Sequence, residues 1–409
     1  VKNKKFIGAA ATFGVVASLF LASPAAHAEA VCDGFAVVGS DTIQDVMTGI
    51  ANGTNATGLP VRASGNGKVA CNYDAIDPVY LKYGQTSHIQ TKAFGPSFKR
   101  PNGSGNGQIA LGRSIDGGFI DAAGTTKIIG QVDIARSSSD PGNSVDPTSG
   151  TLTNVMAAYP FARDAVSFAT NAPGLTELSQ AELTSIFTCQ NLGANSRPQI
   201  TVGGSLVEVT PVLPQKGSGT REFILPKVSN NAYNKDTTDA QLPSCIVIGQ
   251  EHQTNFLANG NPLPANSVVV HSVAQWVAQA NGVGTDRRGS GFTLGSAIPG
   301  TPAVTTNAGK LVPNASFYAN TTFGRDTFLV TQASRTYPGS ATFDTSLAAL
   351  LGVSKTDFDV ANIPGTSLLN QSTDPDTVGG VKLAYGFFPA TNGDALDAHY
   401  APLKSGNLG

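Results

Sequence analysis

Apolar and polar positions along the chain fall into one recurring arrangement: a short apolar strand, a small polar or Gly/Ser loop, then a helical stretch. Phe35-Ala36-Val37-Val38 is strand-like and Gly39-Ser40-Asp41-Thr42 turns. Ile43, Val46, Met47 and Ile50 then recur at i, i+3, i+4 and i+7, one face of a helix, for which Ser40 or Asp41 would serve as N-cap. Val132-Asp133-Ile134-Ala135 runs into Arg136-Ser137-Ser138-Ser139-Asp140-Pro141 in the same way. A third unit passes from Val207-Glu208-Val209 and Pro211-Val212-Leu213 through Gln215-Lys216-Gly217-Ser218-Gly219-Thr220 into Arg221-Glu222-Phe223-Ile224-Leu225. Strand-loop-helix units in series imply an α/β architecture.

The intervening segments fit that class. Ser179-Gln180-Ala181-Glu182 is a capping box ahead of Leu183, Ile186 and Phe187 and predicts a short amphipathic helix. The stretches 164–169, 267–270 and 327–331 read as strands and 273–278 as a helix, while 72–101 reads as irregular and 299–320 as a connector. No repeat of fixed period emerges.

Composition adds compartment and charge. Lys2, Lys4 and Lys5, the apolar run from Phe6 to Ala22, and Ala26-His27-Ala28 have the form of a secretory signal peptide cleaved after residue 28. The full chain carries 26 Lys+Arg against 28 Asp+Glu; losing those three lysines leaves 23 against 28, or −5. Such a balance argues against a nucleic-acid partner. No later apolar stretch approaches the ~20 residues of a membrane span. The residues before Cys32 lack a lipoprotein cleavage pattern, so the expectation is a soluble exported protein. Four cysteines in an exported chain imply disulfides. Of three formal pairings, Cys32–Cys71 with Cys189–Cys245 is preferred, because each pair closes a loop within one half of the molecule. A metal site is not expected: no C-x-x-C occurs, and His88, His252, His271 and His399 are scattered. Nor is a cofactor.

Gly-Ser-Gly occurs at 103–105, 217–219 and 289–291, in a chain with 46 glycines and only 13% charged residues. Glycine lets backbone N–H groups approach an anion, serine adds a hydroxyl, and a helix opening at such a loop adds roughly half a positive charge. Lys216, Arg221, Arg287 and Arg288 flank two of the loops and could clamp an oxyanion. Asp41 and Asp140 beside an anion would be unfavourable unless that anion carried a proton to donate; otherwise they serve as N-cap and turn residue. Against an enzyme, the sequence has no G-x-S-x-G, Walker A, H-E-x-x-H or post-strand G-x-G-x-x-G motif. A carboxylate pair as in glycosidases has no sequence spacing by which to judge it.

Taken in order, Gly39-Ser40-Asp41-Thr42, Asn102-Gly103-Ser104-Gly105-Asn106-Gly107, Val132-Asp133-Ile134 with Ser137-Ser138-Ser139-Asp140-Pro141, and Gln215-Lys216-Gly217-Ser218-Gly219-Thr220-Arg221 resemble the phosphate-binding proteins of bacterial ABC transporters. This is the PstS-like family, and the resemblance is strongest to its exported actinobacterial branch. It implies a two-lobed periplasmic-binding-protein fold of the second type, an interlobe ligand cleft and a hinge. Lobe one would comprise 29–159 and 323–409, and lobe two 160–322. The resemblance places Thr42, Ser104, Ser218, Gly219 and Thr220 at the oxyanion, with Ser40 and Asp41 in the first loop. It also implies that Asp140, or Ser138 in its stead, occupies the position where the family accepts the phosphate proton. Better-known members have an Arg where this chain has Pro214, leaving Arg163 or Arg221 as substitutes. The implied role is non-catalytic capture of phosphate or a related oxyanion by a monomer, for delivery to an ABC permease. Two other readings differ in class: a secreted phosphatase-like hydrolase using Ser218 or a carboxylate pair, and a module for a cell-surface partner whose Gly-Ser loops are linkers.

Overall fold

A computed structural model describes residues 31–63, 70–77, 87–148, 152–257, 259–354, 363–390 and 398–408. The proposed signal peptide lies outside them. Among the described residues no helix is long and apolar enough to cross a membrane.

The expected α/β class is found. One mixed sheet runs Val247–Gly249, Thr210–Pro214, Ser267–Ser272, Val155–Thr170, Gly324–Gln332, Ile134–Ser137, Phe35–Gly39, Ala70–Asn72, with Thr293–Gly295 and His399–Pro402 also paired to Val155–Thr170. Strands followed by helices pair in parallel at both ends of this order, whereas Val155–Thr170 and Gly324–Gln332 run antiparallel through its middle. Those two strands span both halves of the interior. Up to Ala162, Val155, Ala157, Tyr159 and Phe161 pack with Phe35, Ile43, Leu329 and Leu350 while Met156 and Ala158 pack with Val38, Leu111 and Phe328; from Ala165 the apolar side chains pack with Leu183, Ile224, Val268 and Phe317.

The strand predicted at 164–169 is the second half of the 16-residue Val155–Thr170. Apolar residues on both faces give it no alternation, which hides its length. The capping box closes as expected, Ser179 accepting from the Glu182 N–H at the head of Gln180–Phe187. The first helix differs: it begins at Gln44, with Ile43 at the N-cap and no side-chain cap, so neither Ser40 nor Asp41 caps it. The Ser40 hydroxyl instead accepts the Thr42 N–H, closing the turn before the helix. The 299–320 connector contains a hairpin, Val304–Asn307 with Lys310–Pro313, and a short helix, Ala315–Tyr318. Within 72–101, past the end of strand Ala70–Asn72, only the two-residue strands His88–Ile89 and Phe98–Lys99 are regular among the described residues. Both disulfides form as preferred, Cys32–Cys71 and Cys189–Cys245, with Cα separations of 5.7 and 6.0 Å.

Candidate functional site

Four loops converge where the two halves meet. The turn after Phe35–Gly39 brings Ser40 and Thr42; helix Ser104–Asp116 begins with Ser104; strand Ile134–Ser137 ends at Ser138; helix Gly219–Val228 opens with Gly219 and Thr220. Their hydroxyls are fully buried. The Ser138 hydroxyl lies 3.1 Å from that of Ser40, 3.1 Å from that of Thr42 and 3.2 Å from that of Ser104, and Thr42 and Thr220 are 3.3 Å apart. Gly219 is required here, because a Cβ would run into the hydroxyls of Ser104 and Ser138. Gly103, with φ of 93°, likewise lets the two Gly-Ser-Gly loops meet: the Gly105 N–H donates to the Gly217 carbonyl at 3.0 Å.

Arg325, on strand Gly324–Gln332, reaches the same point. Its guanidinium donates to the Thr220 hydroxyl at 2.7 Å, to that of Thr42 at 3.3 Å, to the Ser138 carbonyl at 3.1 Å and to Asp164 at 2.9 Å. Asp164 also accepts from the Ser272 hydroxyl and the Ala274 N–H, at the start of helix Val273–Ala280. Its charge therefore has both an ionic partner and helix N–H groups. Arg136 is spent on structure, its guanidinium donating to the carbonyls of Gly39, Ser40 and Tyr73 and so holding the first loop.

Glu251 and His252 complete the cluster. One Glu251 oxygen accepts the Thr220 N–H at 3.2 Å and lies 3.3 Å from the Thr42 hydroxyl and 3.2 Å from His252 Nε2; the other has no hydrogen-bond partner. Burial pushes this carboxyl up, but His252, the hydrogen bonds from His252 and Thr220, and Arg325 outweigh it and hold the group below the usual range. Asp41 moves the other way, raised by burial and by the nearby Glu251. The two carboxyls thus divide into one held ionised and one biased toward its proton. His252 Nδ1 accepts the Ser272 N–H at 3.2 Å, so in the neutral ring Nε2 carries the hydrogen and donates toward Thr42, 2.9 Å away. In that tautomer His252 is a donor to the hydroxyls and not a base for them.

Of the residues singled out in the sequence, Ser40, Thr42, Ser104, Ser138, Gly219 and Thr220 are brought together. Ser218 is adjacent but serves as N-cap, accepting the Arg221 N–H at 3.1 Å, and among the described residues no histidine or carboxylate is bonded to it. The others point elsewhere. Asp41 accepts from Gln250 at 2.5 Å. Asp140, 47% exposed, bonds His399 at 2.9 Å. Arg163 pairs with Asp326 at 3.3 Å, and Arg221 with Asp239 at 2.5 Å. Arg287 bridges to Asp45 at 3.3 Å, and Arg288 to Asp286 at 2.9 Å. Arg325, Glu251, His252 and Asp164 were not legible as site residues. The only trace is the polar run Gln250-Glu251-His252-Gln253-Thr254, which resembles a solvated loop yet is at most 2% exposed at every position.

The arrangement is a closely packed, donor-rich cluster in which hydroxyls, a guanidinium, an imidazole N–H and the first turn of a helix gather around one point together with Glu251. An oxyanion placed there would exchange hydroxyl-hydroxyl contacts for stronger, charge-assisted bonds. Among the described residues no group of three His, Cys, Asp or Glu side chains could hold a metal ion.

No protein-family model matches the sequence, and no curated protein does. Solved structures similar to the chain include PfluDING, a high affinity periplasmic phosphate-binding protein bound with phosphate (16% identity, 87% of this chain and 90% of that one, TM-score 0.44). A phosphate-binding protein from Stenotrophomonas maltophilia aligns at 16% identity over 73% of this chain and 78% of that one, TM-score 0.40. An ABC-type phosphate transport receptor from Vibrio cholerae aligns at 14% identity over 73% and 87%, TM-score 0.35.

Proposed function

We propose that the chain is an exported, non-catalytic solute-binding protein that captures phosphate or a related oxyanion between two lobes and delivers it to an ABC permease. The observation that carries this reading is the convergence of five buried hydroxyls with Arg325 and the Thr220 N–H. The lobes are 29–159 with 323–409, and 160–322, so Ser40, Thr42, Ser104 and Ser138 come from one and Thr220, Glu251 and His252 from the other. An anion held by both sets favours the closed arrangement. Membership of the exported actinobacterial branch and a monomeric state belong to the same proposal.

Selectivity follows from the carboxylates. A fully ionised sulfate would meet Glu251 with two negative oxygens and no proton between them, whereas a protonated phosphate can donate to it. Glu251 therefore takes the proton-accepting role that the resemblance assigns to Asp140 or Ser138. Calorimetry with phosphate, sulfate and molybdate, on protein freed of endogenous ligand, tests the reading. Micromolar or tighter binding of phosphate is expected, and failure of all three anions to bind refutes it. Glu251→Gln is expected to narrow the gap between phosphate and sulfate, and Asp140→Asn to leave it as it was. The reverse pattern would return the role to Asp140.

A further inference from the structure

Beside the Gly-Ser loops, lined by Gly105 and Gly217 but by none of the five buried hydroxyls, lies a cavity of about 540 Å³ between the halves. Lys99, Arg100, Lys216, Lys235 and Lys404 line it, facing only Glu222 and Asp236. The whole chain has 26 Lys and Arg residues and a negative formal charge, so five at one cavity is a local reversal of its overall sign. Three of the five are partly committed. Arg100 donates to the Ser87 hydroxyl and the Asp74 carbonyl, and Lys404 stands near Glu222, whose carboxyl burial raises and Lys404 lowers. Lys235 stands 3.6 Å from Asp236 in an exposed pair that a ligand can displace; Lys99, from one half, and Lys216, from the second, have no ion pair among the described residues.

We propose that this cavity is a second anion site, for a small molecule bearing two or more phosphoryl groups. Five cations opposing two carboxylates favour a ligand of several negative charges, and the volume lies in the range of organic-ligand pockets. Ile76, Ile109 and Leu408 add apolar wall against which a short carbon skeleton can rest. The site is distinct from the hydroxyl cluster, yet Glu222 lines the cavity and accepts from the Ser139 hydroxyl at 2.9 Å, one residue from Ser138. A polyanion spanning Lys99 and Lys235 would tie the two halves together from outside the buried site.

The test is calorimetric titration of tripolyphosphate and, separately, fructose 1,6-bisphosphate into protein saturated with inorganic phosphate, at low and high ionic strength. Binding of one equivalent is expected, weakening as salt screens the lysines. Lys99→Glu combined with Lys235→Glu should cut affinity by roughly tenfold or more, since each reversal replaces an attraction by a repulsion. Inorganic phosphate affinity should stay unchanged in that variant. Preference for the bisphosphate would identify an organic ligand, and preference for tripolyphosphate a condensed one. The proposal falls if neither polyanion binds, if inorganic phosphate displaces them one for one, or if the double variant binds them as the parent does. Its outcome is separable from that of the hydroxyl site: a chain that ignored inorganic phosphate could still bind tripolyphosphate in this cavity.

Discussion

Thr220 combines three roles within one residue: its N–H, outside the helix ladder, donates to Glu251, its hydroxyl faces Thr42, and it receives the Arg325 guanidinium. Thr220→Val keeps the shape and removes the hydroxyl, so phosphate affinity should fall by about 10 to 100-fold, the worth of one hydrogen bond to a charged group. Titration calorimetry measures it. Arg325→Met is a harsher change, because it leaves Asp164 buried with an unpaired charge; a loss of ~3–5 kcal/mol, read by denaturant unfolding, is expected along with loss of binding. These two residues also mark what the sequence discloses. Thr220 is reached through the resemblance carried by Gly217-Ser218-Gly219-Thr220-Arg221, since a Gly-Ser-Gly loop by itself also serves as a plain flexible turn. Arg325 sits in a strand where an arginine ordinarily points to solvent, and only the antiparallel pairing Arg325 to Asp164 turns it inward. Glu251 and His252 were hidden for a related reason, since a polar pentad has no periodicity and its burial depends on loops distant in sequence.

At the scale of elements, strands and helices with one-sided apolar faces were legible and their lengths were not. The sequence predicts helix over 221–225, whereas the helix spans Gly219–Val228, because its start lies within the Gly-Ser loop. That start depends on Ser218 as N-cap, and Ser218→Ala should cost about 0.5–2 kcal/mol. A thermal-shift assay checks it, and the same variant should show no change in any phosphate-ester hydrolysis, since the hydroxyl has a capping role and no base. Disulfide Cys189–Cys245 closes a separation of 56 residues and joins the end of helix Gln180–Phe187 to the loop before Val247–Gly249. Replacing both cysteines by serine should lower stability by about 2–4 kcal/mol. Urea unfolding of that variant gives the value, and unaltered stability would mean the packing around Leu183 and Ile186 suffices alone.

For the molecule as a whole, stability and ligand binding are linked through buried titrating groups. His271 is pushed down to about 3, by burial first and by His252 next. Its folded value lies below the unfolded 6.5, so between those two pH values the unfolded chain binds more protons and stability rises with pH. Acidification from neutrality should therefore remove about 2 kcal/mol by pH 5, and His271→Gln should flatten that limb of the stability curve. A ligand bound by both halves should raise the unfolding free energy of the entire protein in one transition, by ~2.7 kcal/mol at a hundred times its Kd. Calorimetric scans with and without phosphate would show one shifted peak; a shift of only one of two peaks would contradict binding across the junction. The family resemblance implies two lobes, but nothing in the local pattern marks how Val155–Thr170 passes between the two interior clusters. It does so through a bulge: Thr327 pairs with Ala162 and Phe328 with Pro160, leaving Phe161 unpaired, its carbonyl taken by the buried Lys382 amine at 2.7 Å and by Gln371 at 3.0 Å. In a strand every residue inserted or removed exchanges the two faces. Here the bulge absorbs the surplus, so removing Phe161 would close the ladder with Ala162 still opposite Thr327 and Asp164 still opposite Arg325; the expected cost, read by urea unfolding of the deletion variant, is that of the buried Phe161 ring and of the carbonyl held by Lys382 and Gln371. One surplus residue is thus taken up within the strand on which both halves are hung.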